Sequence, residues 1–312
     1  MRILITGGAG FIGSHLGRLF IEKGAEVFVV DNLVTGNKKN IGDLLKNDGF
    51  HFFEKDIVSY DYKDLPSFDI VYDLASPASP KVFDRLSLEI IRVNSLGLIK
   101  LLDFFVKSKS KTFVFASTSE VYGDPKVNPQ PEEYFGNVNP FGPRACYDEG
   151  KRFAEAIIFS YRQKFRLDLR IARIFNTYGP NMDPEDGRVI SNFITQALKN
   201  KPMTIYGDGR QTRSCCFVSD MVNGLYLLGT KGNLEKPIIN IGNPDERSVL
   251  EIAGLIKTIT KSRSKIVFLQ IGKDDPKVRC PRITRAEKIL GWSPTVDFET
   301  GLGLTADYFK NI

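Results

Sequence analysis

Arg2-Ile3-Leu4-Ile5-Thr6-Gly7-Gly8-Ala9-Gly10-Phe11-Ile12-Gly13 reads as a strand, a turn and the start of a helix. Arg2 to Ile5 make a short apolar strand. The glycines then fall as Gly7-x-x-Gly10-x-x-Gly13, one position wider than the usual G-x-G-x-x-G. The first permits a tight turn, the second lets the backbone approach a pyrophosphate, and the third allows close helix–sheet packing. Phe11 and Ile12 sit inside that turn. Leu16, Leu19 and Phe20 follow at helical spacing, so a helix N-terminus faces the anion. Such a pattern can also be a plain tight turn, and the next segment weighs against that. Glu26 to Val30 is a second strand, ending at Asp31. An acid there accepts hydrogen bonds from adenosine ribose hydroxyls and repels a ribose phosphate, which favours NAD over NADP.

Working outward, Phe50 to Phe53, Asp69 to Tyr72, Thr112 to Ala116 and Leu167 to Ile174 read as further buried strands. A helix with Ile90, Ile91, Val93, Leu96, Ile99 and Leu102 lies between two of them, and another runs from near Tyr147 to about Phe165. This alternation predicts an α/β fold, a Rossmann-like doubly wound parallel sheet with right-handed crossovers. After Asn176 the pattern changes, as Pro, Gly and Asn thicken between Tyr178 and Gly187. Ser219 to Leu228 reads as a helix and Ile238 to Ile241 as a strand, both returning to the main sheet. The expected organisation is an NAD-binding domain over 1–176, with 219–262 returning to it. A smaller C-terminal nucleotide-sugar-binding domain covers 177–218 and 263–312. Residues beyond about Lys265 are expected to close over the ligand. Asn32, Thr35 and Gly36 extend a loop able to wrap the ribose. Asp56 and Ile57 could bracket the adenine, and Leu74, Ala75 and Ser76 could line the dinucleotide. Each of these also reads as a packed loop residue.

At 312 residues the chain can bury one large or two interlocked domains. Its apolar share of 42% and charged share of 26% are those of an ordinary globular protein. A net charge of +6 suits an anionic ligand such as a nucleotide sugar. No basic block or aromatic–basic repeat argues for nucleic acid. Cys146, Cys215, Cys216 and Cys280 do not make a disulfide framework in a chain this long. With His15 and His51 the sole histidines and no C-x-x-C, no metal site is expected. The chain starts directly in a strand, with no signal peptide and no apolar run of membrane-spanning length. The expectation is a soluble, cytoplasmic protein.

The chemistry lies in Gly142-Pro143-Arg144-Ala145-Cys146-Tyr147-Asp148-Glu149-Gly150-Lys151-Arg152. Tyr147 and Lys151, spaced i, i+4, project from one face of a helix. An ammonium beside a phenol favours the phenolate, lowering its pKa towards neutrality. That gives a base for a sugar hydroxyl during hydride transfer. Y-x-x-x-K alone is weak; the glycine turn and Asp31 give it meaning.

Taken together, the glycine turn, the Tyr147/Lys151 pair and the length resemble the extended short-chain dehydrogenase/reductases that modify nucleotide sugars. Within that group, Asp73-Leu74-Ala75-Ser76-Pro77-Ala78-Ser79-Pro80, the run from Ala116 to Pro125 and the run from Gly142 to Arg152 resemble the UDP-glucuronate decarboxylases, or UDP-xylose synthases. So do Arg173 to Pro180, Asp186 to Phe193, Gln211 to Arg213, Val218 to Asp220, Asp274 to Pro276 and Leu290 to Trp292.

The resemblance implies a self-contained redox cycle. NAD+ takes a hydride from C4 of the glucuronosyl ring, the 4-keto acid loses carbon dioxide, and the hydride returns to give UDP-xylose. By the same resemblance Tyr147 is the base for O4, and Lys151 lowers its pKa and holds the nicotinamide ribose. Thr118 hydrogen-bonds the same oxygen, and Glu120 stands near the departing group. Arg213 stands at the sugar-phosphate end, with a further part in protonating C5. Asn176, Arg188, Val189, Tyr206, Gln211 and Arg279 match positions around the diphosphate and uridine. Relatives pair the Ile90–Leu102 helix and the Tyr147–Phe165 helix across a two-fold axis, so a homodimer is implied.

Departures from the family pattern are Asn181 in place of an Arg, the Cys215-Cys216-Phe217 run, Cys280 and Arg282. All are expected in the substrate half. Three other functions are weighed against decarboxylation. A 4,6-dehydratase would carry an acid where Ser119 stands. A 4-epimerase needs no carboxylate handling, so Glu120 argues against it. A non-catalytic cofactor-binding scaffold would not keep Thr118, Tyr147 and Lys151.

Overall fold

Alternation along the first strand sets the two faces of the molecule. Ile3 and Ile5 enter one apolar cluster and Leu4 enters the other, as period-two geometry requires. The computed structural model describes residues 1–232, 234–270 and 278–312, and the Asp274-Asp275-Pro276 run lies outside these. Its first strands are β1 (Arg2–Thr6), β2 (Glu26–Asp31), β3 (Phe50–Glu54), β4 (Ile70–Asp73), β5 (Thr112–Thr118) and β6 (Asp168–Ile174). Next come β7 (Thr177–Tyr178), β8 (Met203–Tyr206), β9 (Thr212–Ser214), β10 (Cys216–Phe217) and β11 (Ile238–Ile241). The central sheet has seven strands in the order β11-β6-β5-β4-β1-β2-β3. All its pairings are parallel. The strand order reverses between β1 and β4, and ligands bind at the carboxyl ends of strands at such a switch point.

The helices are α1 (Phe11–Glu22), α2 (Ser87–Arg92), α3 (Leu98–Ser108), α4 (Ala145–Phe165), α5 (Val189–Leu198) and α6 (Val218–Thr230). They continue with α7 (Val249–Ile259), α8 (Thr284–Leu290) and α9 (Phe298–Lys310). On one face Leu16 and Phe20 of α1 and Leu225 of α6 pack under Ile3 and Ile5. On the other, Leu101 and Phe105 of α3 and Ala154 and Ile158 of α4 pack on Leu4, Val71 and Phe113. Apolar cover on both faces explains why the strands read as continuous apolar runs.

Two features of the sequence reading change. The helix expected through Ile90–Leu102 is two helices joined by a π-turn over Val93–Gly97. Asn94 causes it locally, since its amide donates to the Ile90 carbonyl and to Ser76 Oγ, both at 2.9 Å. A side chain in the i−4 ladder widens the turn. The fifth strand also runs two residues further than read, so Thr118 is its last residue.

Beyond β6 the chain adds small sheets. β10 pairs with β7, and β12 (Glu246–Ser248) pairs antiparallel with β9. β13 (Ile266–Leu269) pairs with β8. β11 and α6 meanwhile pack on β6 of the main sheet.

Candidate active site

A cleft of about 1320 Å³ opens along the carboxyl ends of the central strands. A pocket for one small ligand runs to about 300–1,000 Å³, so this cleft has room for two.

One pole is built from backbone. Gly7 has φ +70°, and a Cβ there would meet the Leu74 carbonyl at 2.8 Å. That is where β1 and β4 part. A Cβ on Gly13 would meet Gly7 O at 2.3 Å, so α1 packs directly on the turn. No side chain caps α1, whose first residue follows Gly10, and its amides remain available to an anion. Asp31 accepts from Ala9 N at 3.0 Å and from Leu33 N at 2.8 Å. Burial raises its pKa, and the amides of Leu33, Ala9 and Gly10 oppose that. The acid thus fastens the glycine turn while lining the cleft.

Gly10, Phe11, Ile12, Thr35, Gly36, Leu74 and Ser76 line the same pole. Asn32, Asp56, Ile57 and Ala75 stand outside the lining. Asn32 donates to Asp56 at 3.0 Å, Ile57 is buried in the α3-side core, and Ala75 N bonds Thr6. A cradle closed to any Cβ, an uncapped helix start and a buried acid fit a dinucleotide.

In the middle of the cleft, Tyr147 and Lys151 share one face of α4. Lys151 Nζ donates to the Ala116 carbonyl at 2.8 Å and lies 6.0 Å from the Tyr147 ring centroid. Burial pulls Lys151 down to about 8. Burial pushes Tyr147 up to about 12, opposed by the Arg188 charge and a hydrogen bond with Thr118. The expected lowering of the phenol by Lys151 is therefore not seen in the chain alone. The ammonium is drawn to a carbonyl and a ring face rather than to the phenol. Thr118 Oγ1 accepts from Glu120 N at 3.2 Å, which leaves its proton for the phenol oxygen. Phe83, which the sequence reading passed over, stacks on Tyr147 at 5.1 Å and 22°.

The other pole is built from side chains. Glu120 Oε2 accepts from Arg144 at 2.7 Å and from Arg279 at 3.1 Å. Arg279 also donates to the Ser119 carbonyl. Burial alone would raise Glu120; Arg279 and Arg144 more than reverse it, down to about 2, and Arg213 adds its charge. Asp148 Oδ2 lies 3.7 Å from Arg144 Nε, and its Oδ1 is buried with no hydrogen-bond partner among the described residues. Burial and then the Glu120 charge push Asp148 up to about 7.

Asn176, Arg188, Val189, Tyr206, Gln211, Arg213 and Arg279 all line the cleft. Arg144 and Asp148 carry no role in the reading of the sequence motif. Their i, i+4 spacing, interleaved with that of Tyr147 and Lys151, was the available signal. Asn181 lines the cleft, and its amide reaches Ser14 Oγ of α1 at 3.2 Å. Cys215 lines the cleft, while Phe217 packs edge-on against Tyr178 at 5.6 Å.

Residues 3–242 match the NAD dependent epimerase/dehydratase family. UDP-glucuronic acid decarboxylase 1 of Danio rerio is 48% identical over 309 residues, covering 99% of this chain and 72% of that protein. UDP-glucuronic acid decarboxylase 3 of Arabidopsis thaliana is 45% identical, covering 99% of this chain and 89% of that protein. Among solved structures, UDP-glucuronic acid 4-epimerase of Bacillus cereus, in complex with UDP-glucuronic acid and NAD, superposes with a TM-score of 0.90. It is 32% identical, with 100% of this chain and 99% of that one covered. Switch-point topology, a backbone cradle for a dinucleotide and this extent of similarity agree: the chain belongs to the NAD dependent epimerase/dehydratase family.

Proposed function

We propose that this protein is an NAD-dependent UDP-glucuronate decarboxylase that produces UDP-xylose and carbon dioxide. The observation that carries the reading is Glu120 clamped by Arg144 and Arg279 in the same cleft as Thr118, Tyr147 and Lys151. NAD, which the Gly7–Gly13 turn, Asp31 and Lys151 would hold, would supply the hydride acceptor for C4 oxidation and the donor for the closing reduction. Tyr147 acts as its phenolate, its own proton having first passed to solvent; it takes the O4 proton and later returns it, with Thr118 holding the same oxygen. Once C4 is a ketone, the C5–C6 bond breaks and its electrons flow into the C4 carbonyl. Thr118 and Tyr147 then face the developing oxyanion as donors. Arg144, Arg213 and Arg279 outweigh Glu120 and Asp148 in charge, which favours an anionic sugar. Loss of carbon dioxide leaves C5 one proton short. Arg213, which lines the cleft and adds its charge beside Glu120, stands where it can orient a water that returns that proton.

Residues 1–176 with 219–262 hold the dinucleotide, and 177–218 with 263–312 hold the nucleotide sugar. Gln211 and Arg188 serve the diphosphate and Tyr206 the base. The protein works as a homodimer. Leu88, Ile91, Leu96, Phe153 and Phe159, on α2, the π-turn and α4, stand exposed and support this; light scattering reads it out. A cytoplasmic setting is supported by four free cysteines. No helix among the described residues is long and apolar enough to cross a membrane.

The purified protein is incubated with UDP-glucuronate and no added NAD+, and the products are read by NMR. UDP-xylose and carbon dioxide are expected. Unchanged substrate would refute the reading, and UDP-galacturonate would make the protein a 4-epimerase, like its Bacillus cereus neighbour.

A further inference from the structure

A buried carboxyl group that the reaction above does not use lies one strand away from Lys151. Asp73 ends β4 and is 2% exposed. In the parallel register it pairs with Phe115 of β5, so the two side chains leave the sheet on the same face. Lys151 Nζ sits 4.6 Å from the Phe115 ring centroid on that face. Thr6 Oγ1 donates to Asp73 Oδ1 at 2.6 Å and accepts from Ala75 N at 3.3 Å. The hydroxyl's single proton is therefore committed to Asp73, whose oxygen is the acceptor.

The other charges around Lys151 are taken. Glu155, one turn further along α4, is held by Arg173 at 2.7 and 3.0 Å and by Ser117 Oγ at 2.6 Å. Tyr147, also on α4, is a neutral phenol in the resting site. Asp73 makes no ion pair with a Lys or Arg among the described residues; its partners are the Thr6 hydroxyl and the Ala75 amide.

We propose that Asp73 is a positioning residue for the Tyr147–Lys151 pair: its carboxylate, steered by Thr6, keeps the Lys151 ammonium charged and seated between the Phe115 ring and the Ala116 carbonyl. The inference rests on the assignment of Tyr147 and Lys151 to the oxidation step. Burial pulls Lys151 down, and Asp73 is the largest influence opposing it, ahead of Glu155. Burial likewise raises Asp73, and the Thr6 hydrogen bond and the Lys151 charge oppose that. Among the described residues, the remaining titratable group facing Asp73 is Tyr62, from the turn after β3. Lys151 loses its proton as pH rises through about 8. Without Asp73 that loss falls at lower pH.

Asp73→Asn holoenzyme is compared with wild type in the pH dependence of kcat/KM for UDP-glucuronate. The alkaline limb is expected to move down by about one pH unit, roughly a tenfold loss at alkaline pH, with KM little changed. Competitive acetylation of the cofactor-free protein, read at Lys151 by mass spectrometry across pH, needs no turnover and should show the same downward step. Should Asp73→Asn fail to fold, Thr6→Val takes the donor from the carboxyl and makes it harder to ionise. Its limb then moves the same way by a smaller step. Profiles and labelling midpoints that superimpose on wild type overturn the proposal. A labelling shift in a protein that never turns over UDP-glucuronate supports it and overturns the reaction assignment instead.

Discussion

The two poles of the cleft are built by opposite means. The cofactor pole is one stretch of backbone, Gly7 to Gly13, pinned by Asp31 two elements later. Its selectivity comes from what cannot be there, since any Cβ on Gly13 would strike the Gly7 carbonyl. The substrate pole is a knot of charged side chains from distant segments: Glu120 after β5, Arg144 and Asp148 at the start of α4, Arg213 in β9, and Arg279. Each charge there sets the others, because buried charges are tolerated only when paired. A local constraint is rigid and tolerates little. A charge cluster can be retuned one side chain at a time.

The sharpest way to break this contrast is Tyr147→Phe, at the junction of the poles. Turnover should fall by about 10²–10⁴, the weight of a general base, while cofactor and UDP-sugar stay bound. Wild-type turnover in steady-state assays would remove Tyr147 from the chemistry. Glu120→Gln comes next and should separate the poles. Oxidation survives while release of carbon dioxide falls by about a hundredfold, as Arg144 and Arg279 lose the carboxylate that orients them, so NADH absorbance builds up on substrate addition. Loss of both together would show that the poles are not independent. Asp31→Ala tests the cradle. It strips acceptors from Ala9 N and Leu33 N as well as from the ribose, and should weaken NAD retention by about tenfold or more, measured by calorimetry.

The smallest effect concerns Asp148. Its carboxyl, pushed up to about 7 from an ordinary 3.8, binds its proton more tightly in the fold than in the unfolded chain. Wild-type stability therefore declines as pH rises through that window, and Asp148→Asn escapes the decline. The variant should gain a Tm advantage of about 2 °C on passing from pH 5 to pH 8. A difference in Tm that ignores pH would mean that Asp148 is not held protonated.

The same contrast explains what could be read from the sequence. Gly7, Gly10, Gly13 and Asp31 are legible because contiguous spacing dictates backbone geometry. Tyr147 and Lys151 are legible because helical period puts them on one face. The π-turn at Asn94 was not, since it depends on one amide reaching Ser76 across the fold. Nor was the seat of Lys151 on Ala116, or the stacking of Phe83 on Tyr147. These contacts join residues whose separation in the chain carries no period. The Arg144–Glu120–Arg279 clamp is of the same kind, spanning 24 and 159 positions.

A single bound NAD would accept the hydride from C4 and give the same hydride back. UDP-glucuronate carrying deuterium at C4 tests this directly, with the product followed by NMR and mass spectrometry in the absence of added NAD+. UDP-xylose that retains deuterium at C4 is the expected result. UDP-xylose with protium at C4, or a six-carbon sugar still bearing its carboxylate, would contradict it.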